Sequence, residues 1–226
     1  MAERGRRVAG RLLSLALLAS GSHAMEPEAA VVAAEARQLS ALGTVAKRQG
    51  LQLQLRAANG QVVRFDSQHP DAAHEADIAD YRLTGVTPDG RFFTVHGLFY
   101  ERESTYWVSR ATGARTEVYD PPAVSPDGRH VVTALARESS GPEGVFVWEI
   151  AADQLVQRTH LKHGDYGLFT FRRWISNDVA ELELFSHSYL KFCPGAQSTT
   201  ATMRLIRGAK GWALTDPATA RDVRCT

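Results

Sequence analysis

Long apolar runs are scarce in this chain. The one clear run, Leu12 to Ala19, lies at the very start. It is too short to cross a bilayer as a helix, and nothing after residue 24 approaches that length. The chain is therefore read as not membrane-spanning. Catalytic signatures are missing as well. No Gly-x-Ser-x-Gly occurs, so an esterase-type nucleophile turn is not indicated. No phosphate-binding loop and no dinucleotide fingerprint appears, and no cofactor is expected. Cysteine is limited to Cys193 and Cys225, and none follows the early apolar run, which argues against a lipid-anchored cysteine there.

What stands at the start has a pattern of its own. Arg4, Arg6, Arg7 and Arg11 flank the apolar run, and Ser22-His23-Ala24 follows it with small residues. Basic, apolar and small segments in that order make residues 1–24 a secretory signal peptide. A retained N-terminal helix and translation from Met25 are the alternative readings. Cleavage after Ala24 leaves 202 residues (226 − 24), enough for one domain with a core. The first 24 residues hold four Arg and one Glu, so the formal charge falls from +1 to −2 on cleavage (1 − 3). No broad basic face remains, and nucleic acid is not expected as a partner. Export, to the periplasm or beyond, places Cys193 and Cys225 where disulfides persist. The even count points to a bridge between them, closing a loop of about 33 residues.

Residues 25–50 read as a helix and lead-in. Val32, Ala36 and Leu39 fall at helical spacing, and Gly43 marks an end. Residues 51–226 read as β structure. Leu51 to Arg56 alternates strictly, then Asn59-Gly60 precedes Val62 to Phe65. A three-residue loop, Ala58-Asn59-Gly60, pairs Leu55 with Val63 and Leu53 with Phe65; a one-residue slip would face leucines with charges. The same reasoning pairs Val108 with Thr116 and Tyr106 with Val118. It pairs Trp148 with Val156, with Asp153 in the left-handed position, and Ile206 with Leu214 near Gly211.

Two further turns share one text. Thr87-Pro88-Asp89-Gly90-Arg91 and Ser125-Pro126-Asp127-Gly128-Arg129 have the residues of a type I turn, in which Pro sets the second φ and Gly stands fourth. Ser176-Asn177-Asp178 is a degenerate third copy. Asp89 and Asp127 are accordingly assigned to turn geometry, not catalysis. The order is one hairpin and then three units of two hairpins. Four-stranded units at roughly 40–50 residue spacing are the pattern of propeller blades.

Val86 to Tyr119 and Val124 to His160 resemble the TolB-type and WD40-like (PD40) repeats of β-propellers, whose blades carry Ser-Pro-Asp-Gly-Arg before the second strand. The whole mature chain also resembles small exported bacterial proteins of unassigned function that carry this half-blade-plus-three layout. The resemblance implies an all-β, propeller-like fold of about three four-stranded blades plus a half blade, closed into a small ring, open as a curved stack, or part of a larger assembly. An open stack would leave a strand edge for the N-terminal helix to cover.

Functional expectations rest on few residues. Tyr100, Glu101, Arg102 and Glu103 fall on a loop beside Trp107, a mix of aromatic and charged groups that suits a recognition surface. The competing reading is inter-blade packing with a solvated loop. His69, Asp71, His74, Glu75 and Asp77 have metal-ligand side chains, in a segment running to Asp80, without a recognised ligand spacing. His160, His163 and Asp165 form a weaker set of the same kind. Trp148, Trp174 and Trp212 are expected between blades. The leading expectation is an exported, non-catalytic binding module whose partner is another periplasmic or envelope protein. The alternatives are an exported hydrolase or lyase with a loop-built site, and metal binding at His69 to Asp80.

Overall fold

The computed structural model describes residues 28–68, 78–100, 102–119, 121–135, 143–162, 167–186, 193, 195–215 and 219–226. Residues 1–24, read from sequence as a signal peptide, the five ligand candidates from His69 to Asp77, Glu101, His163 and Asp165 lie outside these residues. The described part is all-β apart from one helix and a short 3-10 turn.

Helix α1 spans Glu28–Leu42 and stops at Gly43, whose φ of +59° suits glycine. Three strands follow, β1 (Ala46–Gln49), β2 (Gln52–Arg56) and β3 (Val62–Asp66), as one antiparallel sheet in the order β1-β2-β3. The expected half blade thus gains a strand. Ala-Lys-Arg-Gln carries almost no apolar signal, yet Ala46 pairs with Leu55 and is buried. The register Leu55–Val63 and Leu53–Phe65 is as the apolar match requires.

The second sheet is β4 (Ala79–Val86), β5 (Phe92–Phe99), β6 (Arg102–Ser109) and β7 (Arg115–Glu117), in that order. The third is β8 (Ala123–Val124), β9 (His130–Leu135), β10 (Gly144–Ala151) and β11 (Gln154–Leu161). The fourth is β12 (Leu168–Ser176), β13 (Val179–Ser186), β14 (Thr199–Gly208) and β15 (Gly211–Leu214). It has a fifth strand, β16 (Arg221–Cys225), so the last unit exceeds the four strands expected. β15 pairs with residues 205–208 of β14, and β16 pairs with Thr199, Thr200 and Thr202. The Cys193–Cys225 disulfide ties down β16.

Three hairpin registers differ from expectation by one residue. Tyr106 faces Glu117 and Val108 faces Arg115 across a four-residue loop. Trp148 faces Gln157 because the turn is only Ala152-Asp153, and Ala152, not Asp153, takes the left-handed φ of 51°. Leu205, not Ile206, faces Leu214. One cause accounts for the first two. Apolar matching selects a register only when one face is wet, and the second and third sheets bury apolar side chains on both faces. Val118 consequently packs with Trp107 in one core while Tyr106 lies in another.

Three cores join the four sheets in a row. Leu53, Leu55, Phe65, Leu83, Phe93, Val95 and Tyr106 lie between the first and second. Phe92, Trp107, Val118, Val131, Phe146 and Trp148 lie between the second and third. Val132, Val145, Phe169, Leu182, Leu205 and Trp212, with Trp174 against them, lie between the third and fourth. Trp148, Trp174 and Trp212 are therefore between sheets, as expected. Among the described residues no core joins the fourth sheet back to the first. The described sheets thus stack in a row, and among the described residues no closed propeller forms.

Its outer faces are polar. Lys47, Gln49, Gln52, Gln54, Arg64 and Asp66 share the outer side of the first sheet by register. On the outer side of the fourth, Arg173 pairs with Glu181 at 3.1 Å and Arg172 pairs with Glu183. The free edge of β4 is dressed by the N-terminal segment. Glu35 of α1 accepts from the Leu83 amide at 2.8 Å, Arg48 donates to the Tyr81 carbonyl, and Ser67 Oγ accepts from the Tyr81 amide at 3.0 Å. The helix therefore covers an edge. Its apolar spacing indicated this face only in part: Leu39 packs against the first core, Val32 and Ala36 are exposed, and Glu35 is the buried residue.

The two Pro-Asp-Gly turns are built alike. Thr87 Oγ1 donates to Asp89 at 2.6 Å, and Asp89 accepts from the Arg91 amide at 3.1 Å. Ser125 Oγ donates to Asp127 at 2.7 Å, and Asp127 accepts from the Arg129 amide at 3.1 Å. Gly90 and Gly128 close the turns with amide bonds to Thr87 and Ser125. Both aspartates belong to turn chemistry.

Candidate binding face on the second sheet

Strand alternation divides β5 cleanly. Phe93 and Val95 point into the first core, while Phe92, Thr94, His96 and Leu98 point toward the third sheet. Only Phe92 of that second group is taken up by the core with the third sheet. The reason is the length of β8, two residues, with Pro122 just before it. The inner strand of the third sheet is too short to cover β4 and β5.

The register gives the uncovered face a grid. Asp80, Leu98 and Glu103 form one row, and Arg82, His96 and Thr105 the next. Thr84 and Thr94 form the third with Trp107, which lies directly across from Thr94. Internal bonds order it. Arg82 Nε donates to Asp80 at 2.8 Å, His96 Nε2 lies 3.4 Å from Glu103, and Thr84 Oγ1 donates to Thr94 Oγ1 at 2.8 Å. Leu98 is 45% exposed in the midst of these polar groups.

A cleft of about 430 Å³ occupies the corner between this face and the third sheet. Thr84, Thr94, His96 and Trp107 line it from the second sheet, with Pro122 and Val124 on the opposite wall. Trp107 is 4% exposed, and its indole Nε1 has no hydrogen-bond partner among the described residues.

The five residues expected to form a recognition surface are divided by the fold. Tyr100, 47% exposed, sits at the turn between β5 and β6. Glu103 faces the grid. Arg102 points to the other side of the sheet, where it lies 4.3 Å over the Phe99 ring and donates to Glu117 at 3.0 Å. Trp107 is a correction: its ring is buried beside Phe92 at 5.4 Å between centroids, so only its edge meets the cleft. Alternation puts Trp107 and Tyr106 on opposite faces, and both faces are cores. Beside Arg102, Glu117 also accepts from Ser104 Oγ. Burial and that carboxylate raise the Tyr106 hydroxyl above its usual range. Thr84, Thr94, His96 and Leu98 were not singled out from sequence. Their signal was present as the polar half of the alternation Phe93-Thr94-Val95-His96.

A second cleft, about 570 Å³, is lined by Arg56, Arg91, Arg110 and Asp153. Two of its arginines are engaged. Arg91 pairs with Asp89 at 2.6 Å and reaches the third sheet at the carbonyls of Ala152 and Gly128, both at 3.2 Å. Arg110 donates to the Gly90 carbonyl at 2.8 Å. This cleft is where turns of the first three sheets are clasped together. Among the described residues no group of three or more His, Cys, Asp or Glu could hold a metal ion. His160 instead stacks on Phe146 at 4.0 Å. No described helix is long and apolar enough to cross a membrane.

The fold thus defines, among the described residues, stacked antiparallel sheets in which Thr94, His96 and Leu98 of the second sheet are left out of the core with the third. No family model matches the chain. No curated protein matches it either. Among solved structures it is similar to a crystal structure of TolB from Acinetobacter baumannii, at 16% identity and a TM-score of 0.28. That likeness covers 80% of this chain and 49% of the other, so the chain spans about half the length of the protein it matches.

Proposed function

We propose that this protein is an exported binding module that recognises another protein of the periplasm or envelope through the open face of its second sheet. The observation that carries the reading is the grid from Asp80 to Trp107, left uncovered by the short β8. Neighbouring sheet faces in this stack are packed on one another, while Leu98 stands exposed and Tyr100 stands at the rim. An exposed apolar centre ringed by polar groups is the make-up of a recognition patch. The N-terminal Arg-rich, apolar and small-residue pattern supports export. Among the described residues the cleft is lined by threonines, prolines, valines, His96 and Trp107, a largely apolar lining that suits binding.

Site-specific photocrosslinking in the cell envelope tests this. A benzoylphenylalanine at Leu98 or at Tyr100 should give the same protein adduct, and one at Gln54, on the outer face of the first sheet, should not. An adduct at Gln54 as strong as at Leu98, or none at any of the three, overturns the proposal.

A further inference from the structure

We propose that the seam between the third and fourth sheets is an acid-operated latch, in which a proton taken up by His130 releases the fourth sheet from the third. The latch is independent of the docking face on the second sheet.

His130 opens β9 directly after the second Pro-Asp-Gly turn, and its amide donates to Ser125 Oγ at 2.9 Å. The ring is 3% exposed and meets the Trp212 ring of β15 edge-on, at 5.2 Å between centroids. Trp212 in turn meets Trp174 of β12 at 5.9 Å. The Trp174 indole donates back across the seam to the Ala123 carbonyl of β8 at 3.3 Å. One imidazole, two indoles and a carbonyl thus run from the third sheet into the fourth and return.

A charged imidazole has no place for its second proton here. Nδ1 is buried with no hydrogen-bond partner among the described residues. A neutral ring can carry that nitrogen without a proton, whereas a charged ring must bury an N–H without an acceptor. Three carboxylates act on the ring from a distance, and each is engaged elsewhere. Glu149 of β10 pairs with Arg158 at 2.7 Å, and Asp178 at the turn between β12 and β13 pairs with Arg207 at 3.3 Å. Asp127 accepts from Ser125 Oγ at 2.7 Å. Arg207 of β14 adds positive charge from the fourth sheet. Burial and Arg207 together outweigh the three carboxylates and hold the pKa of His130 below 6.5. An open seam, with the ring in water, therefore takes the proton first. The closed form is favoured at neutral pH and loses ground as pH falls through 6.5. Because Trp212 belongs to the fourth sheet and packs on the ring, hydrating that ring means moving that sheet.

The test uses the mature chain from Met25, labelled with ¹⁵N at tryptophan. Exchange of the four indole N–H groups is followed between pH 7 and 5 as protection factors, which remove the intrinsic pH dependence of exchange. Trp174 and Trp212 should lose protection about tenfold, the loss that corresponds to one unit of differential proton affinity. Trp107 and Trp148, in the core between the second and third sheets, should keep theirs. In His130→Phe the loss at Trp174 should disappear. His130→Gln, also uncharged over this range, serves as a second variant if the phenylalanine form folds poorly. Equal loss at all four indoles would mean unfolding of the whole stack. A Trp212 resonance that moves while Trp174 keeps its protection would mean titration without opening. A loss that persists in the uncharged variants would place the proton elsewhere. Any of the three overturns the proposal.

Discussion

Glu35 and Arg48 meet at two points: Arg48 Nε donates to Oε2 at 2.8 Å and Nη2 to Oε1 at 2.7 Å. The carboxylate is 4% exposed and also accepts the Leu83 amide, so one side chain joins α1, β1 and β4. Arg82 approaches it from β4 at 3.7 Å. Breaking a buried pair leaves a charge without its partner. Glu35→Ala should therefore cost about 3 kcal/mol, read as a lower urea midpoint at unchanged slope. The double variant Glu35→Leu with Arg48→Met should recover part of that loss. A double variant as unstable as the two single losses added together would refute the pairing account.

Arg91 and Arg129 occupy the same place in the two Pro-Asp-Gly-Arg turns and should differ in importance. Arg91 crosses to two carbonyls of the third sheet, and no side-chain bond of Arg129 is found among the described residues. Arg91→Ala should lose about 1 kcal/mol, since its contacts are partly exposed, and Arg129→Ala should stay within about 0.5 kcal/mol of the parent. Equal losses on chemical denaturation would mean the inter-sheet bonds contribute nothing.

His130 should make the fold acid-sensitive. It is 3% exposed, next to Trp212 at 5.2 Å, and burial together with Arg207 holds its pKa below the usual 6.5. The unfolded chain then takes up the proton first. Stability from this group is full at neutral pH and is lost as pH falls through 6.5 toward the folded-state value. His130→Phe keeps an aromatic ring there, removes the unpartnered Nδ1, and should flatten the melting temperature between pH 7 and 5. Asp89 and Asp127 act lower down. Burial pushes each up, but hydrogen bonds from Thr87 and Arg91, or from Ser125 and Arg129, outweigh it and leave both below 3.8. Their contribution is present above pH 3.8 and lost below it. An unchanged slope between pH 7 and 5 in the phenylalanine variant would assign that sensitivity to another group.

Reduction of Cys193–Cys225 should act on half of one strand. The bridge closes a 32-residue separation, worth about 3–4 kcal/mol on the chain-entropy argument. β16 holds only the first part of the edge of β14. Amide exchange should therefore rise at Thr199 to Thr202 after reduction, while residues 205–208, paired with β15, keep their protection. Uniform loss along β14 would show that β16 stabilises the whole sheet.

The turns were legible in the sequence because their information is local. Thr87, Pro88, Asp89 and Gly90 each contribute to a geometry spanning four residues. The Leu53–Phe65 register was legible because Gln52, Gln54 and Arg64 keep the other face wet. Tyr106 to Glu117 gave no such contrast, since apolar groups pack on both sides of that sheet. The pair Glu35–Arg48 left no trace, being two polar residues 13 apart whose meeting depends on where the helix lies. The open face shares that cause. Thr94, His96 and Leu98 are left out of the core because of the length of β8, a strand 25 to 29 residues further along the chain (123 − 98 and 123 − 94) whose two residues, Ala123 and Val124, carry little pattern.

The charged outer faces of the first and fourth sheets carry a consequence for modular change. Duplicating the second or third sheet would create only seams of the kind already present, apolar on apolar. Trimming a sheet from either end would bare such a seam to water. A stack sealed in this way can grow from its interior and resists being shortened from its ends.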